Sequence, residues 1–348
     1  MTDTPSKLTL AQLGCGYWGP NLLRNFSSQP NCHVKWLADQ VAERRSFVET
    51  NFPHTRTTAD ADQVIADPDV QAVVIVTPAS THFTLAKAAL LAGKHVFVEK
   101  PLATTTHDAD ELCAIAAERR LTLMVGHTFL YNEAVRYMKT KLDTGDLGQP
   151  YYFYAHRLNL GQVRSDVNAW WNLAPHDVSI LLYLMNGELP ASIMAHGTAY
   201  LQPDIEDVVF ATLTWASGVM AHVQVSWLDP GKVRKVTMVC SRKMIVYDDV
   251  SDDKIAIVDK GVDRVPKLGE RMDYDKSPAG AQLSLRNGDV LLPRVNVPEP
   301  LKVESAHFLE CIRTSQTPIT GPKHARDVVA VLEAGQHALK ERREVCIS

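Results

Sequence analysis

The chain has 348 residues, of which 45% are hydrophobic and 22% charged, and its formal net charge is −4. This length predicts about two domains with a large core. The sequence shows neither a dense basic run nor an apolar stretch of the roughly 20 residues that a membrane span needs. We therefore expect neither nucleic acid nor a membrane as a partner.

The cysteines and the N-terminus bear on the cellular compartment in which we expect the protein. The six cysteines are scattered and include no Cys-x-x-Cys pair. This pattern is typical of reduced thiols rather than of disulfides or a metal site, so we expect no metal. Residues 1–7 are polar and too short for a signal peptide, which favours a cytoplasmic location.

A glycine-rich turn near the N-terminus is the strongest local signal. The apolar run Leu8–Leu13 leads into Gly14, Gly16 and Gly19, and a helical pattern begins after Pro20. A strand, a Gly-x-Gly-x-x-Gly turn and a helix in this order are typical of a dinucleotide site, although such a turn can also be purely structural. Gly14 would allow the tight turn, Gly16 the close approach of a pyrophosphate, and Gly19 the packing of helix on strand.

An acidic residue after the second predicted strand indicates which cofactor binds. Asp39 follows the strand predicted at residues 33–38 and lies 20 residues beyond Gly19. An acid at this distance bonds the hydroxyls of the adenosine ribose. Its charge would repel the extra phosphate of NADP, so we expect NAD. Arg44 and Arg45 lie close enough to leave NADP open.

The rest of the first half alternates strands with helices. Helical patterns occur at 41–51, 61–66, 82–92 and 105–120, and strands are predicted at 54–57, 72–76, 95–98 and 122–126, of which 72–76 is a continuous apolar run. This alternation predicts a doubly wound parallel (Rossmann) sheet in a domain of residues 1–127. Ligands bind beyond the carboxyl ends of such strands. The other residues predicted to bind the cofactor there are Tyr17, Trp18, Thr77, Pro78, His82, Glu99 and Lys100, and His127 is predicted to face the substrate.

Lys100 stands at one of these strand ends, between Glu99 and Pro101. Its amine can donate a hydrogen bond to a substrate hydroxyl or carbonyl, and a bound NAD⁺ would lower its pKa by repulsion. A cis bond before Pro101 would turn the lysine inward. The alternative is a solvated lysine that pairs with Glu99.

From about residue 128 the alternation ends. Consecutive strands are predicted at 151–160, 205–215, 219–228, 232–240 and 243–248, with helices at 131–142, 178–185, 301–313 and 322–341. This order predicts an α+β domain of residues 128–348 with a large, mostly antiparallel open sheet. An identical sheet from a second copy would cover its apolar face, so we expect a homo-oligomer, a dimer or a tetramer. Residues 251–300 are polar and weakly periodic, which predicts an irregular surface segment that could cover the substrate.

A polar cluster follows the first strand of this second half. It consists of Arg157, Asn159, Arg164, Asp166 and Asn168. One interpretation is a charged surface loop. The other is a substrate pocket in which arginine forks hold a phosphate or carboxylate.

Together these motifs resemble the glucose–fructose oxidoreductase / inositol dehydrogenase / MocA (Gfo/Idh/MocA) family. The residues that carry the resemblance are Gly14-Cys15-Gly16-Tyr17-Trp18-Gly19, Thr77-Pro78 and Glu99-Lys100-Pro101. The resemblance implies that Lys100 is the active-site lysine and that the Thr77-Pro78 turn lies along the cofactor.

Much of this family carries Asp-x-Gly-x-His where this chain has residues 172–176. The resemblance implies that His176 is a proton shuttle. Asn172 replaces the family's acid, so it can orient the imidazole by a hydrogen bond but cannot offset its charge. Asp177 carries a charge, but a helix neighbour points elsewhere. The division of labour between Lys100 and His176 stays open, and His176 can also be a helix-end histidine that bonds the backbone.

The stretches 157–161 and 174–177 resemble family members that act on nucleotide-linked sugars, such as nucleotide-sugar 3-dehydrogenases. The resemblance implies an NAD-dependent dehydrogenase that oxidises a secondary alcohol of a sugar. The alternatives are an NADP(H)-dependent ketosugar reductase, a cyclitol dehydrogenase, and a non-catalytic protein that senses NAD or a sugar. The expected catalytic pair is Lys100 and His176, and the expected substrate-binding residues are Lys100, His127, Arg157, Asn159, Arg164, Asn168, Asn172 and His176.

Overall fold

The structure, a computed structural model, describes residues 7–266 and 281–347. Its first sheet contains the strands β1 (Leu8–Leu13), β2 (Cys32–Ala38), β3 (Arg56–Thr58), β4 (Ala72–Ile75), β5 (His95–Glu99) and β6 (Leu123–Gly126). They form a six-stranded sheet in the order β3-β2-β1-β4-β5-β6, and every neighbouring pair is parallel. The predicted Rossmann sheet is confirmed.

Helices link these strands, namely α1 (Gly19–Ser27), α2 (Ala42–Asn51), α3 (Ala61–Ala66), α4 (His82–Leu91) and α5 (Thr106–Arg119). Local sequence sets their ends. The side chain of Thr105 accepts a hydrogen bond from the Asp108 amide at 3.1 Å and so caps α5. Gly93 follows α4 with a φ of +77°, a conformation that glycine adopts without steric cost.

The second sheet contains nine strands in the order β14-β13-β12-β11-β7-β10-β9-β8-β15. They are β7 (Pro150–Leu158), β8 (Ser192–Thr198), β9 (Val208–Thr214), β10 (Met220–Ser226), β11 (Val233–Cys240), β12 (Met244–Asp248), β13 (Ile255–Pro266), β14 (Ala281–Leu291) and β15 (Val345–Cys346). Only β7 and β10 pair in parallel within the described part of this sheet. The mostly antiparallel sheet is confirmed, although β7 interrupts a simple meander.

The helices of the second half are α6 (Glu133–Asp143), α7 (Ala169–Leu184), α8 (Pro300–Thr314) and α9 (Pro322–Glu341). The last two return to the first sheet. The Phe308 ring of α8 meets those of Phe26 and Phe97 edge-on, with centroids 6.1 and 5.6 Å away. The Thr320 carbonyl accepts a hydrogen bond from the Val125 amide at 3.0 Å. The domain division at residue 127 stays a prediction.

The interpretation of residues 251–300 was wrong. Residues 251–300 are not an irregular segment, because they supply the paired strands β13 and β14. Side chains of the outer strand, such as Leu283 and Leu285, are exposed, so the burial pattern that identifies a strand is weak there. Residues 267–280 of this segment lie outside the described part. Strands β8 and β15 were not predicted.

Helix α7 begins at Ala169 rather than at residue 178. The Asn168 side chain caps it by accepting a hydrogen bond from the Trp171 amide at 3.1 Å. Pro175, which favours a helix boundary, lies inside this helix. Buried side chains such as Trp170 hold the helix against the core through the proline position. None of the helices in residues 7–266 and 281–347 is long and apolar enough to cross a membrane.

Candidate active site

The three glycines of the first turn have different surroundings. Gly14 has a φ of +92°, and a Cβ there would lie 2.7 Å from the Val76 carbonyl oxygen. A Cβ on Gly19 would lie 3.0 Å from the Gly14 oxygen, whereas one on Gly16 would meet nothing nearer than Arg44 at 4.0 Å. Gly14 and Gly19 are therefore required by packing, and Gly16 leaves an open cradle at the start of α1. This cradle fits a pyrophosphate.

Asp39 is buried at the carboxyl end of β2, and its carboxylate is fixed by the backbone. Oδ2 accepts a hydrogen bond from the Cys15 amide at 2.7 Å, and Oδ1 accepts one from the Val41 amide at 2.9 Å. Arg44 Nη1 lies 3.4 Å from Oδ2, and Arg45 donates to the Asp39 carbonyl. The acid stands beside the glycine turn, where the ribose of a dinucleotide would lie.

One cleft of about 1630 Å³ runs from the glycine turn to the second sheet. It exceeds the roughly 300–1,000 Å³ of common small-ligand sites, so it has room for a dinucleotide and a second molecule. The predicted site residues that line it are Gly14, Gly16, Tyr17, Trp18, Asp39, Thr77, Pro78, Glu99, Lys100, Arg164 and His176. Lys100 and His176 thus face the same cavity, although they come from different halves of the chain.

Lys100 reaches across the cleft to the second half. Its Nζ donates a hydrogen bond to the Asn172 carbonyl at 2.9 Å. Burial lowers the pKa of this amine to about 8, against the attraction of Glu99 and with added repulsion from Arg164 and Arg157. The Lys100–Pro101 peptide is cis, one of the two isomers that the sequence left open.

Glu99, the preceding residue, is a buried carboxyl group. Burial raises the pKa of its carboxyl to about 7. Oε2 accepts a hydrogen bond from the Lys100 amide at 3.2 Å, and within the described chain Oε1 has no hydrogen-bond partner. A second buried acid, Glu304 of α8, accepts a hydrogen bond from Thr128 at 2.8 Å, and burial raises its pKa well above the usual range. The sequence offered no signal for Glu304, which lies within an ordinary amphipathic helix.

His176 is half-buried on α7, with its ring 5.0 Å from that of Phe129. Burial lowers the pKa of the imidazole well below its ordinary value, and Lys100 and Arg157 lower it further. Asn172 Oδ1 accepts a hydrogen bond from Trp227 Nε1 at 3.1 Å, and among the residues that the structure describes its side chain makes no bond to His176. Among the described residues, His176 Nδ1 has no hydrogen-bond partner.

Arg157 does not line the cleft, contrary to the expectation that its fork faces a substrate. Its Nε and Nη2 donate to Asp177 at 2.8 and 2.9 Å, and both side chains are buried. The guanidinium carbon lies 4.5 Å from the centroid of the Phe129 ring. Arg157 and Asp177 form an internal ion pair behind His176.

Several other predicted site residues also lie outside the cleft lining. The His82 ring lies between the carbonyl oxygens of Pro101 and Thr77, at 2.7 and 2.9 Å, and joins two strand-end turns. His127 is buried edge-on to His324, with ring centroids 5.5 Å apart. Asn168 caps α7, and Asn172 contributes its carbonyl to Lys100. Asn159 does not line the cleft either.

Polar residues that the sequence did not point to also line the cleft, among them Asn132, Arg234 and Asp249. Arg234 lies near the start of β11, directly opposite Arg157 of β7. A single basic residue at the start of an apolar strand is a common pattern, so the sequence around Arg234 gave no sign of a functional role.

The parallel sheet, the glycine cradle and the cleft beside it are the features of a dinucleotide-binding protein. A family model described as "Oxidoreductase family, NAD-binding Rossmann fold" matches residues 8–127, and the "GFO/IDH/MocA C-terminal domain" matches residues 135–246. The chain belongs to the Gfo/Idh/MocA family.

Known relatives include sugar and cyclitol dehydrogenases. UDP-N-acetylglucosamine 3-dehydrogenase of Acidithiobacillus ferrooxidans is 31% identical over 257 residues, which cover 73% of this chain and 79% of the relative. Its structure has a TM-score of 0.77, with 25% identity and 96% and 98% of the two chains covered. scyllo-Inositol 2-dehydrogenase (NAD(+)) of Bacillus subtilis is 24% identical, covering 89% and 87%. GenD2 from gentamicin A biosynthesis, solved with NAD, has a TM-score of 0.82 at 21% identity, covering 99% and 97%.

Proposed function

We propose that this NAD-binding oxidoreductase oxidises a secondary alcohol of a nucleotide-linked sugar, with Lys100 and His176 as its acid–base pair. The observation that carries the proposal is that both side chains line one cleft, which also holds the glycine turn. The relative that covers 73% of this chain at 31% identity is named for action on UDP-N-acetylglucosamine. This relationship supports the choice of a nucleotide sugar.

NAD⁺, when bound, supplies the acceptor for the hydride. The amides around Gly16 would hold its pyrophosphate, and the Asp39 carboxylate would accept hydrogen bonds from the ribose hydroxyls. Thr77 and Pro78 line the same cleft as Lys100. These residues would place the reactive end of the cofactor near the acid–base pair.

Lys100 suits the role of proton acceptor. With a pKa of about 8, its amine is partly neutral near neutral pH. One N–H of the neutral amine would stay bonded to the Asn172 carbonyl, which leaves the lone pair free to accept the alcohol proton. The cation that forms would keep the same hydrogen bond.

His176 is then the hydrogen-bond donor. Because its pKa is far below neutrality, the imidazole is uncharged and carries one N–H. That N–H would bond the substrate oxygen, so the forming carbonyl is polarised without a second charge beside Lys100. Asn172, which replaces the family's acid, likewise adds no charge to the site.

A homo-oligomer is proposed as well, with a second copy of the chain on the open face of the nine-stranded sheet. Side chains that point away from the helices include Met194, Phe210, Met220 and Tyr152, which are 42–46% exposed. They come from the adjacent strands β8, β9, β10 and β7. Polar residues such as His222 and Gln224 lie between them on the same face, and exposed aromatic and methionine side chains in a mixed surface of this kind are enriched at interfaces.

The test is an assay of NADH formation with UDP-sugars, their uronates, free sugars and inositols. Reduction of NAD⁺ with a UDP-sugar at the highest kcat/KM supports the proposal. A higher kcat/KM with an inositol would favour the cyclitol alternative, which the scyllo-inositol 2-dehydrogenase relative also supports. Saturable NAD binding without NADH formation on any of these alcohols would contradict the proposed reaction.

A further inference from the structure

Arg234 is an arginine whose positive charge is poorly compensated. Its Nε is buried and, within residues 7–266 and 281–347, has no hydrogen-bond partner. The closest carboxylate oxygen to which it pairs is Asp249 Oδ2, 4.0 Å from Nη1, too far for a hydrogen bond. The side chain is 34% exposed, and it lines the cleft.

A like charge lies next to it. Arg234 is the direct cross-strand neighbour of Arg157, and like charges in this position destabilise a sheet. Asp177 satisfies Arg157 through two hydrogen bonds, so it is already committed. Burial and the repulsion of Arg157 lower the pKa of Arg234, in the direction opposite to a well-paired arginine.

The other cations around the cleft have partners. Lys100 is bonded to the Asn172 carbonyl, and Arg164 is bonded to Asp166 through Nε at 2.8 Å and Nη2 at 2.5 Å. Asp249 is itself engaged, because its Oδ1 accepts a hydrogen bond from the Tyr247 hydroxyl at 2.9 Å. The other carboxylate oxygen, Oδ2, lies 4.0 Å from Arg234 Nη1, so the attraction between the two side chains includes no hydrogen bond.

The geometry points to Arg234 as the residue that binds an anionic oxygen group of the substrate, either a carboxylate on the sugar ring or a phosphate attached to it. An arginine fork fits both groups through paired hydrogen bonds. Arg234 shares the cleft with Lys100 and His176, so an anion bound there would fix the sugar ring relative to the acid–base pair. This inference rests on the proposed function and assigns it a specificity residue.

The test measures equilibrium binding to the NADH-loaded enzyme, in which an alcohol substrate cannot react. The ligands are UDP-N-acetylglucosamine, its C6 uronate, free N-acetylglucosamine and myo-inositol, each followed by calorimetry. Arg234→Gln should weaken binding of the anionic ligand by about 10- to 100-fold, as expected for a lost charge-assisted hydrogen bond. Lys232→Gln, which removes an exposed cation two residues away and outside the cleft lining, should leave it unchanged.

The pattern of loss identifies the anion. A loss confined to the uronate assigns Arg234 to the ring carboxylate, and an equal loss for both UDP-sugars assigns it to the phosphate. Arg234→Lys should give an intermediate loss of affinity for the anionic ligand, because lysine keeps the charge without the fork. This variant replaces Arg234→Gln in the experiment if the glutamine variant does not fold.

Three results would overturn the inference. They are an equal effect of Arg234→Gln on charged and neutral ligands, no effect at all, and no binding of either UDP-sugar to the wild-type enzyme. The binding data need no turnover. A failure of NAD⁺ reduction in the activity assay would therefore count against the proposed reaction and leave the anion result to be judged separately.

Discussion

The amine of Lys100 lies 2.9 Å from the main-chain oxygen of Asn172, one helical turn before His176. This hydrogen bond joins the end of β5 in the first sheet to α7 in the second half. A lysine on one element is thereby held beside the histidine on another, and the cleft between the two halves acquires its acid–base pair.

Replacing Lys100 by Met should lower kcat by about 10²-fold or more, because the proton acceptor is lost. NAD affinity should stay within a few-fold of the wild-type value, since the glycine turn and Asp39 are unchanged. Lys87→Met is the matched control, as Lys87 lies on α4 outside the cleft lining and pairs with Glu111. Steady-state kinetics and NADH titration measure both effects, and an unaltered kcat would remove Lys100 from the reaction.

The oxidation rate should rise with pH through about 8. The pKa of Lys100 is lowered to about 8, so the neutral amine that accepts a proton becomes the major form above that pH. His176, with a pKa well below 6.5, should add no inflection above pH 7. The profile of kcat/KM between pH 6 and 10 tests this, and the inflection should disappear in Lys100→Met. A flat profile with the wild-type enzyme would assign proton transfer to another group.

Asp39→Asn should reduce the preference for NAD over NADP by about tenfold. Asparagine has one acceptor oxygen, so it keeps the bond from either the Cys15 amide, which donates to Oδ2, or the Val41 amide, which donates to Oδ1, and thermal unfolding should be measured alongside to show that the turn stays folded. The substitution removes the charge that repels a 2′-phosphate. The guanidinium of Arg44, next to residue 39, could then bind that phosphate. Binding constants for NADH and NADPH measure the change. An unchanged ratio would show that Asp39 does not select the cofactor.

Arg157→Met should destabilise the fold by about 3–5 kcal/mol, because it leaves the Asp177 carboxylate buried without a partner. The double variant Arg157→Met with Asp177→Leu should recover much of this loss, since no buried charge then remains. Urea denaturation measures both values. If the single variant keeps its stability and only substrate KM rises, Arg157 contacts the substrate after all.

Phe210→Arg should convert the proposed homo-oligomer into a monomer, because a charge would be buried on the sheet-to-sheet interface. Leu283→Arg is the control, since Leu283 is an exposed leucine on the outer strand β14. Light scattering coupled to size-exclusion chromatography gives the mass of each variant. A wild-type mass of one chain would contradict the proposed assembly directly.

The sequence predicted the first sheet well and parts of the site less well, for physical reasons. Gly14 and Asp39 belong to a short motif whose backbone geometry dictates residue type, so they could be located from spacing alone. Arg157 had the right chemistry for a substrate ligand, but whether its fork is free depends on Asp177, twenty residues along the chain. Arg234 became visible only through its long-range pairing with β7.

The elements of the second half show a similar limit. Strand β14 is largely exposed, and β13 is buried at Ile255 and Ile257 but exposed at Val262, so the two strands share no clear alternation of apolar and polar side chains. Helix α7 continues through Pro175 because burial of its apolar side outweighs a local preference. In both places tertiary contacts, which no sequence window contains, decide the outcome.

The contact of Phe308 with Phe26 and Phe97 bears on the order in which the parts of the protein can fold during synthesis. When residue 127 leaves the ribosome, the aromatic side chains of the nucleotide-binding layer still lack the ring that covers them, and it arrives only with the final fifth of the polypeptide. The nascent first layer must therefore wait, with an apolar surface open to solvent or to chaperones, until translation is nearly complete.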